Sequence, residues 1–142
     1  MLYKDFLKDL HTCPFCSGKD RMLLESETTY LTYALAPYHP HHLLVIPKRH
    51  MLLFSDLTQN ERGDIDVLVH SGFEALKHLG YENLTVLVRE GNGSGKSIPH
   101  LHYHLIPNIR IGDIDHQGNE RAVLSPEEVA RTVADIEGVL HT

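Results

Sequence analysis

Residues 100–107 read HLHYHLIP, in which every second position from the start is a histidine: His100, His102 and His104. Successive side chains of a β-strand point to opposite faces, so this spacing predicts a strand with three histidines on one face. The leucine and tyrosine side chains between them share the other face, which can pack on a hydrophobic core. The three imidazoles are then expected to lie about 6.5–7 Å apart.

Three chemical interpretations fit such a row of imidazoles. A solvent-exposed polar face is the simplest, although Lys, Thr or Glu would serve that purpose better. A three-histidine metal site is the second, since strand alternation can bring such ligands together. The third is acid–base or nucleophilic catalysis, because imidazole titrates near neutral pH. The spacing alone leaves the last two open.

The segment before this strand, GNGSGKS at residues 91–97, is similar to a phosphate-binding P-loop. A Walker A motif needs a glycine five positions before its Gly-Lys-Ser, and it opens into a helix. Here Glu90 stands five positions before Gly95, and Pro99 and an alternating strand pattern follow. The segment is therefore not a P-loop, although its backbone N–H groups can still line a phosphate pocket.

The rest of the chain predicts an α+β domain whose mainly antiparallel sheet has about five strands. Four further segments have the composition of strands: RMLLES (21–26), TTYLTYALA (28–36), HHLLVIP (41–47) and NLTVLVRE (83–90). No repeat, low-complexity tract or linker interrupts this order. Residues 1–142 are therefore expected to form a single domain.

Two helices are expected, one long and one at the C-terminus. In the first, apolar residues recur at intervals of three and four, Thr58 and Glu61 form a capping box, and Gly80 ends the pattern. In the second, Ser125 is the N-cap and Glu128 completes another capping box. The predicted bounds are 55–80 and 125–142.

Composition and charge limit the functions that the protein can have. The 142 residues carry a net charge of −6 with histidine neutral, and no Lys/Arg-rich run occurs, so binding to long nucleic acid or to an anionic membrane is not expected. No apolar run approaches the roughly 18 residues of a membrane span. Lys4, Asp5 and Lys8 interrupt the N-terminal segment, which therefore lacks the apolar region of a signal peptide. We expect a cytoplasmic protein.

Three motifs resemble those of one protein family and follow each other along the chain in that family's order. HLHYHLI has the His-φ-His-φ-His-φ-φ pattern, with φ apolar, of the histidine triad (HIT) nucleotide hydrolases and transferases. HHLLVIPKRHMLLFSDLTQNE, residues 41–61, is similar to the strand and Pro-Lys-x-His turn that precede the first long helix of that family. CPFC, residues 13–16, resembles the zinc-carrying bacterial and archaeal branch. The resemblance implies a HIT-like fold and covers most of the chain.

The resemblance also implies a nucleotide phosphohydrolase that cleaves at the α-phosphate of a dinucleoside polyphosphate or a nucleoside phosphoramidate. His102 matches the nucleophile, which forms a nucleotidyl-histidine that water then hydrolyses, and a neutral imidazole suits this role. His104 matches the third triad histidine, which contacts the phosphate, and His42 matches a supporting histidine on the neighbouring strand. Ser97 matches a hydroxyl that touches the phosphate, while the backbone at Gly95 closes over it.

A structural zinc ion is a further implication of the resemblance. The C-x-x-C motif supplies two thiolates, and a structural zinc site needs four ligands in a tetrahedron. In the zinc-carrying branch the other two ligands are the histidine of the Pro-Lys-x-His turn and the first triad histidine. The implied ligands are Cys13, Cys16, His50 and His100. A pair of buried or redox-active thiols is the alternative for the two cysteines.

Three positions depart from the family's pattern. Lys96 replaces a glutamine before the triad, and Arg89 replaces an asparagine that contacts phosphate in one branch. Both changes add positive charge beside the predicted substrate site, which suits a more anionic substrate. Ala34 stands where an aspartate commonly grips the ribose hydroxyls.

These departures leave rival functions open. One is a nucleotide-binding regulatory module without turnover, and another is a nucleotidyltransferase or phosphorylase of the same fold. A third is a metalloenzyme whose zinc is held by all three triad histidines. The resemblance also implies a homodimer joined through the long helix and the sheet edge, with a small-molecule nucleotide as its ligand.

Overall fold

The computed structural model describes residues 2–91, 98–109 and 122–140. The chain forms two compact units, Met1–Arg110 and Ile111–Thr142. The first contains a five-stranded sheet, and the second contains the C-terminal helix. That the complete chain folds as a single HIT-like domain stays a prediction. No helix in the described part of the chain combines the length and the apolar character that crossing a lipid bilayer requires.

The secondary structure alternates strands with a few helices. In chain order the elements are α1 Tyr3–Lys8, β1 Leu24–Glu25, β2 Thr29–Tyr33, β3 Leu43–Pro47, α2 Gln59–His78, β4 Leu84–Val88, β5 Tyr103–Pro107 and α3 Pro126–Leu140. Antiparallel pairing joins the strands in the order β1-β2-β3-β5-β4. The predicted α+β class is confirmed, with its five-stranded antiparallel sheet, one long helix and C-terminal helix.

Helix α2 is shorter than the predicted 55–80, but the predicted capping box and glycine stop flank it. The Thr58 hydroxyl accepts a hydrogen bond from the N–H of Glu61, and the Glu61 carboxylate accepts one from the N–H of Thr58. Gly80 follows the last turn with a φ of +98°, a conformation that favours glycine. The apolar face of the helix covers one face of the sheet, in a cluster that includes Leu31, Val45, Ile65, Leu68, Leu76 and Leu105.

The face of the sheet opposite α2 carries a second buried cluster and the side chain of His104. Strand residues that alternate with the α2-facing ones join residues from outside the strands in this second buried cluster: Phe15, Tyr30, Ala34, Leu44, Ile46 and Ile98. His104 in β5 lies directly opposite Leu44 in β3, so its side chain points to this second face. The histidines are therefore separated from α2 by the sheet.

All five strands are shorter than predicted, and two of them differ most at their start. In RMLLES, a 3₁₀ turn continues as far as Arg21, and only Leu24–Glu25 pairs with β2. The predicted histidine strand begins at Tyr103 instead of His100. Before that point the N–H of His100 bonds to the carbonyl of Ile98, so the backbone turns locally. Helix α1 was not predicted.

Gly72 allows α2 to approach the sheet closely. A Cβ at Gly72 would clash with the Leu105 side chain and come within 3.4 Å of the Leu31 side chain. A Cβ at Gly63 would have no neighbouring atom within 4 Å beyond its own stretch of helix. We expect Gly72→Ala to lower the free energy of unfolding by about 1–3 kcal/mol, because overpacking outweighs the gain in helix propensity. Gly63→Ala should raise it by about 0.5–1 kcal/mol. Urea unfolding measures both, and effects of the same sign would contradict the close approach.

Candidate active site and metal centre

Three histidines meet on the face of the sheet opposite α2. His104 lies in β5, and His42 stands two residues before Leu44 of β3, on the same side of the chain. Because β3 and β5 are paired, Nε2 of His42 lies only 2.9 Å from Nδ1 of His104. The ring centroids of His102 and His104 are 4.7 Å apart. The three residues predicted to be catalytic are thus in contact.

The histidines are buried. His42, His100 and His102 are 2%, 1% and 8% exposed, so the interpretation of the row as a solvent-exposed polar face is wrong. Burial lowers the pKa of His42 to about 4 and that of His104 to about 3, and it is the largest cause in both. The neighbouring histidines lower both pKa values further. These two rings are therefore neutral near pH 7.

Hydrogen bonds fix which nitrogen carries the proton in His42 and His104. The backbone N–H of Tyr38 donates to Nδ1 of His42 over 3.2 Å, so the lone pair is on that nitrogen. The proton of the neutral ring is then on Nε2, which donates to Nδ1 of His104. It follows that His104 carries its own proton on Nε2. Such an N–H can donate to a phosphate oxygen.

His102 has the opposite tautomer. Its Nδ1 lies 2.7 Å from the carbonyl oxygen of His100, which can only accept a hydrogen bond. When this ring is neutral, its proton is on Nδ1 and its lone pair is on Nε2. The ring of Phe15 packs edge-on against His102, with 4.9 Å between centroids and 66° between planes. A neutral imidazole held in place with a defined lone pair meets the requirement of a nucleophile.

His42, His102 and His104 line one pocket of about 330 Å³, the lower end of the usual size for small-molecule sites. Aromatic and apolar side chains form much of its wall, among them Tyr3, Phe15, Ala34, Tyr38, Leu44 and Ile98. Arg89, predicted to bind substrate, also lines it. The other predicted substrate-binding residues, Gly95, Lys96 and Ser97, lie outside the described residues.

A second group of side chains could hold a metal ion. The ligand atoms of its four members all lie within 4.8 Å of one another: Cys13, Cys16, His50 and His100. Nδ1 of His100 is 3.3 Å from Sγ of Cys13 and 3.5 Å from Sγ of Cys16. Nδ1 of His50 is 3.2 Å from the same Cys16 sulfur. All four predicted metal ligands are therefore together.

The spacing and chemistry of this group fit a tetrahedral ion. With metal–sulfur and metal–nitrogen distances of about 2.3 and 2.1 Å, ligand atoms in a tetrahedron are roughly 3.3–3.8 Å apart. Nε2 of His100 donates to the carbonyl of Pro47 over 2.7 Å, which leaves the Nδ1 lone pair directed at the thiols. Burial, followed by the neighbouring Cys13, raises the pKa of Cys16 to about 11, and binding of a cation to the thiolate would offset this. Among the described residues, His100 is the only triad member in this group.

The backbone between the two cysteines is held by donors from elsewhere. The Tyr30 hydroxyl donates to the carbonyl of Phe15 over 2.5 Å. The Arg21 guanidinium donates to the carbonyl of Pro14 over 2.7 Å. These bonds fix the C-x-x-C turn and, with it, the Phe15 ring that contacts His102.

The turn that carries His50 is tied to α2. The guanidinium of Arg49 donates to the carboxylate of Glu61 at 2.8 Å and to the carbonyl of Asp56 at 2.7 Å. Glu61 is 4% exposed and also belongs to the capping box of α2, so one carboxylate serves both contacts. The start of the long helix therefore positions His50, one of the candidate metal ligands.

Residues 17–110 match the family model of the HIT domain. The chain belongs to the HIT family. The Bis(5'-adenosyl)-triphosphatase of Saccharomyces cerevisiae is 31% identical to this HIT protein over 97 residues, which are 67% of this chain and 47% of that enzyme. This HIT protein thus spans about half the length of the curated relatives that it matches first. Its Cys13/Cys16/His50/His100 group fits the C-x-x-C branch.

Solved structures of other proteins have the same fold. The histidine triad nucleotide-binding protein of Candida albicans has a TM-score of 0.75 and 20% identity, covering 92% of this chain and 98% of its own. The diadenosine triphosphate hydrolase of Plasmodium falciparum, solved with cyclomarin A, has a TM-score of 0.60 and 22% identity, covering 87% and 80%. At these identities the likeness concerns the fold alone.

Two residues of the site were not predicted from the sequence. Phe15, which contacts the rings of His100 and His102, stands between two predicted metal ligands, and that position was a usable signal. Tyr38 acts through its backbone N–H, which no side-chain pattern indicates. Its ring also stacks on His42 at 5.7 Å.

Proposed function

We propose that this HIT protein hydrolyses a dinucleoside polyphosphate or a nucleoside phosphoramidate at the α-phosphate, through a nucleotidyl-histidine on His102. The observation that carries this proposal is the 2.7 Å bond from Nδ1 of His102 to the carbonyl of His100, because it assigns the lone pair to Nε2. The relation to a Bis(5'-adenosyl)-triphosphatase supports a nucleotide substrate.

The proposed reaction has two displacements at phosphorus. Nε2 of His102 forms a bond to the α-phosphorus, and the bond to the leaving group breaks with its electron pair. Water then attacks the same phosphorus, the N–P bond breaks, and the water proton passes to solvent. His104 donates from Nε2 to a phosphoryl oxygen, while His42 holds the His104 ring. Ser97 and the backbone at Gly95 are proposed as further phosphate contacts.

A single-turnover experiment tests this proposal. The protein is mixed with diadenosine triphosphate that carries a radiolabel on the phosphate next to adenosine, and the reaction is stopped with base, since N–P bonds are labile in acid. We expect labelled protein to form and then to decay as labelled AMP appears. Tight binding with neither label nor product would support a regulatory module instead. Release of ADP alone, with no AMP, when phosphate is added would support a phosphorylase.

We also propose that the metal is zinc and that its role is structural. Two thiolates and two imidazoles in a tetrahedral arrangement are typical of structural zinc sites. Four protein ligands leave no open position for water or substrate. In this site the ion would stabilise the fold, because it would link the C-x-x-C turn, the His50 turn and His100.

A homodimer joined through α2 and the sheet edge stays a prediction, as does a cytoplasmic location. Val67 of α2 and Val86 of the edge strand β4 are 58% and 44% exposed, which supports an apolar surface for a second copy. Light scattering of the purified protein measures the mass in solution.

A further inference from the structure

Arg89 lines the same pocket as His102, the candidate nucleophile. In the pairing of β4 with β5, Leu87 is opposite His104 and Val88 is opposite Tyr103. The pairing ends there, and Arg89 is the next residue after Val88, close enough to His104 for its charge to contribute to the lowered pKa of that ring. Alternation also puts Leu87 and Arg89 on one face, the face of His104. The pocket is lined by Arg89 together with His42, His102 and His104.

Arg89 is a permanent cation in the wall of the pocket. Among the described lining residues no other side chain is permanently charged and none is a carboxylate. Burial keeps His42 and His104 neutral near pH 7. A guanidinium does not give up its proton in proteins, so it can stabilise an anion but cannot act as a general acid.

We infer that Arg89 stabilises the negative charge that develops on a phosphate leaving group, and so selects nucleoside polyphosphates over phosphoramidates. The inference rests on the proposed function. With an anhydride, the bond from Nε2 of His102 to the α-phosphorus forms, the P–O bond breaks, and the electron pair stays on the departing phosphate oxygen. No proton is needed. With a phosphoramidate the P–N bond breaks, and the departing amine must receive a proton, which Arg89 cannot supply.

The test compares two substrates that differ in this respect, diadenosine triphosphate and adenosine 5'-phosphoramidate. We expect Arg89→Gln to lower kcat for the triphosphate about 10²-fold, as loss of a charge-stabilising group does. The phosphoramidate should lose less than about 3-fold, since its leaving group develops no anion for Arg89 to stabilise. Arg89→Lys, which keeps the charge, should recover most of the triphosphate activity. Arg62→Gln, an exposed position on α2, is the matched control and should change neither substrate.

The outcomes separate this inference from the proposed function. If the unaltered protein turns over neither substrate, the proposed function fails and the inference falls with it. If both substrates are turned over and Arg89→Gln slows them equally, only the inference is overturned. A rise in KM for the triphosphate with unchanged kcat would also overturn it, because Arg89 would then bind the ground state alone. Thermal unfolding of each variant confirms that the folded protein is being compared.

Discussion

His102→Ala is expected to lower kcat for diadenosine triphosphate by about 10⁴-fold or more, the loss typical of removing a nucleophile. Without the Nε2 lone pair no covalent nucleotidyl-protein can form, and water would have to attack the substrate directly. The neighbouring neutral rings cannot take over, because Nδ1 of His104 is bonded to His42 and its Nε2 carries a proton. Steady-state release of AMP and the single-turnover label measure the two consequences.

Three controls define this result. His70→Ala removes an exposed histidine of α2, on the other side of the sheet, and should leave kcat unchanged. His102→Gly with added imidazole should regain part of the activity, since free imidazole can occupy the space of the missing ring. The metal content of His102→Ala should match that of the unaltered protein, and thermal unfolding should show a cooperative transition, as expected for a folded variant. Retention of kcat by folded His102→Ala would exclude the nucleotidyl-histidine mechanism.

The double variant Cys13→Ser with Cys16→Ser is expected to lose its bound metal, from about one ion per chain to none, because zinc binds thiolate far better than hydroxyl. If the free metal concentration is a thousandfold above Kd, the lost binding energy lowers the free energy of unfolding by about 4 kcal/mol. Elemental analysis measures the metal, and urea unfolding with and without a chelator measures the stability.

A metal site made of the three strand histidines makes the opposite prediction. In that arrangement the double cysteine variant would keep its ion, and His102→Ala would lose it. The structure favours the cysteine-containing group, because Nδ1 of His100 faces the two thiols whereas Nδ1 of His102 bonds to a backbone carbonyl. Metal retained after loss of both cysteines would contradict this assignment.

Features that depend on neighbours in the chain could be predicted from the sequence. The capping box of Thr58 and Glu61 forms because the two residues are three positions apart, and the box of Ser125 and Glu128 forms for the same reason. The C-x-x-C spacing brings two thiols together within one turn. Alternation likewise sets Leu105 toward α2 and His104 away from it.

Features that depend on strand pairing could not be predicted in this way. The start of β5 at Tyr103 depends on where its neighbours offer partners, since β3 and β4 pair with it only from that residue onward. The approach of α2 to the sheet at Gly72 likewise depends on Leu105, which is distant in the chain.

The sequence by itself determined the composition of the site: which residue types are present, at which spacing, and on which face of a strand. Only the tertiary structure decided their protonation and their partners. The Tyr38 N–H sets the tautomer of His42, and His42 sets that of His104, across 62 positions of sequence. The physical reason is that a hydrogen bond assigns a proton by the geometry of both partners, and those partners meet only when the sheet forms.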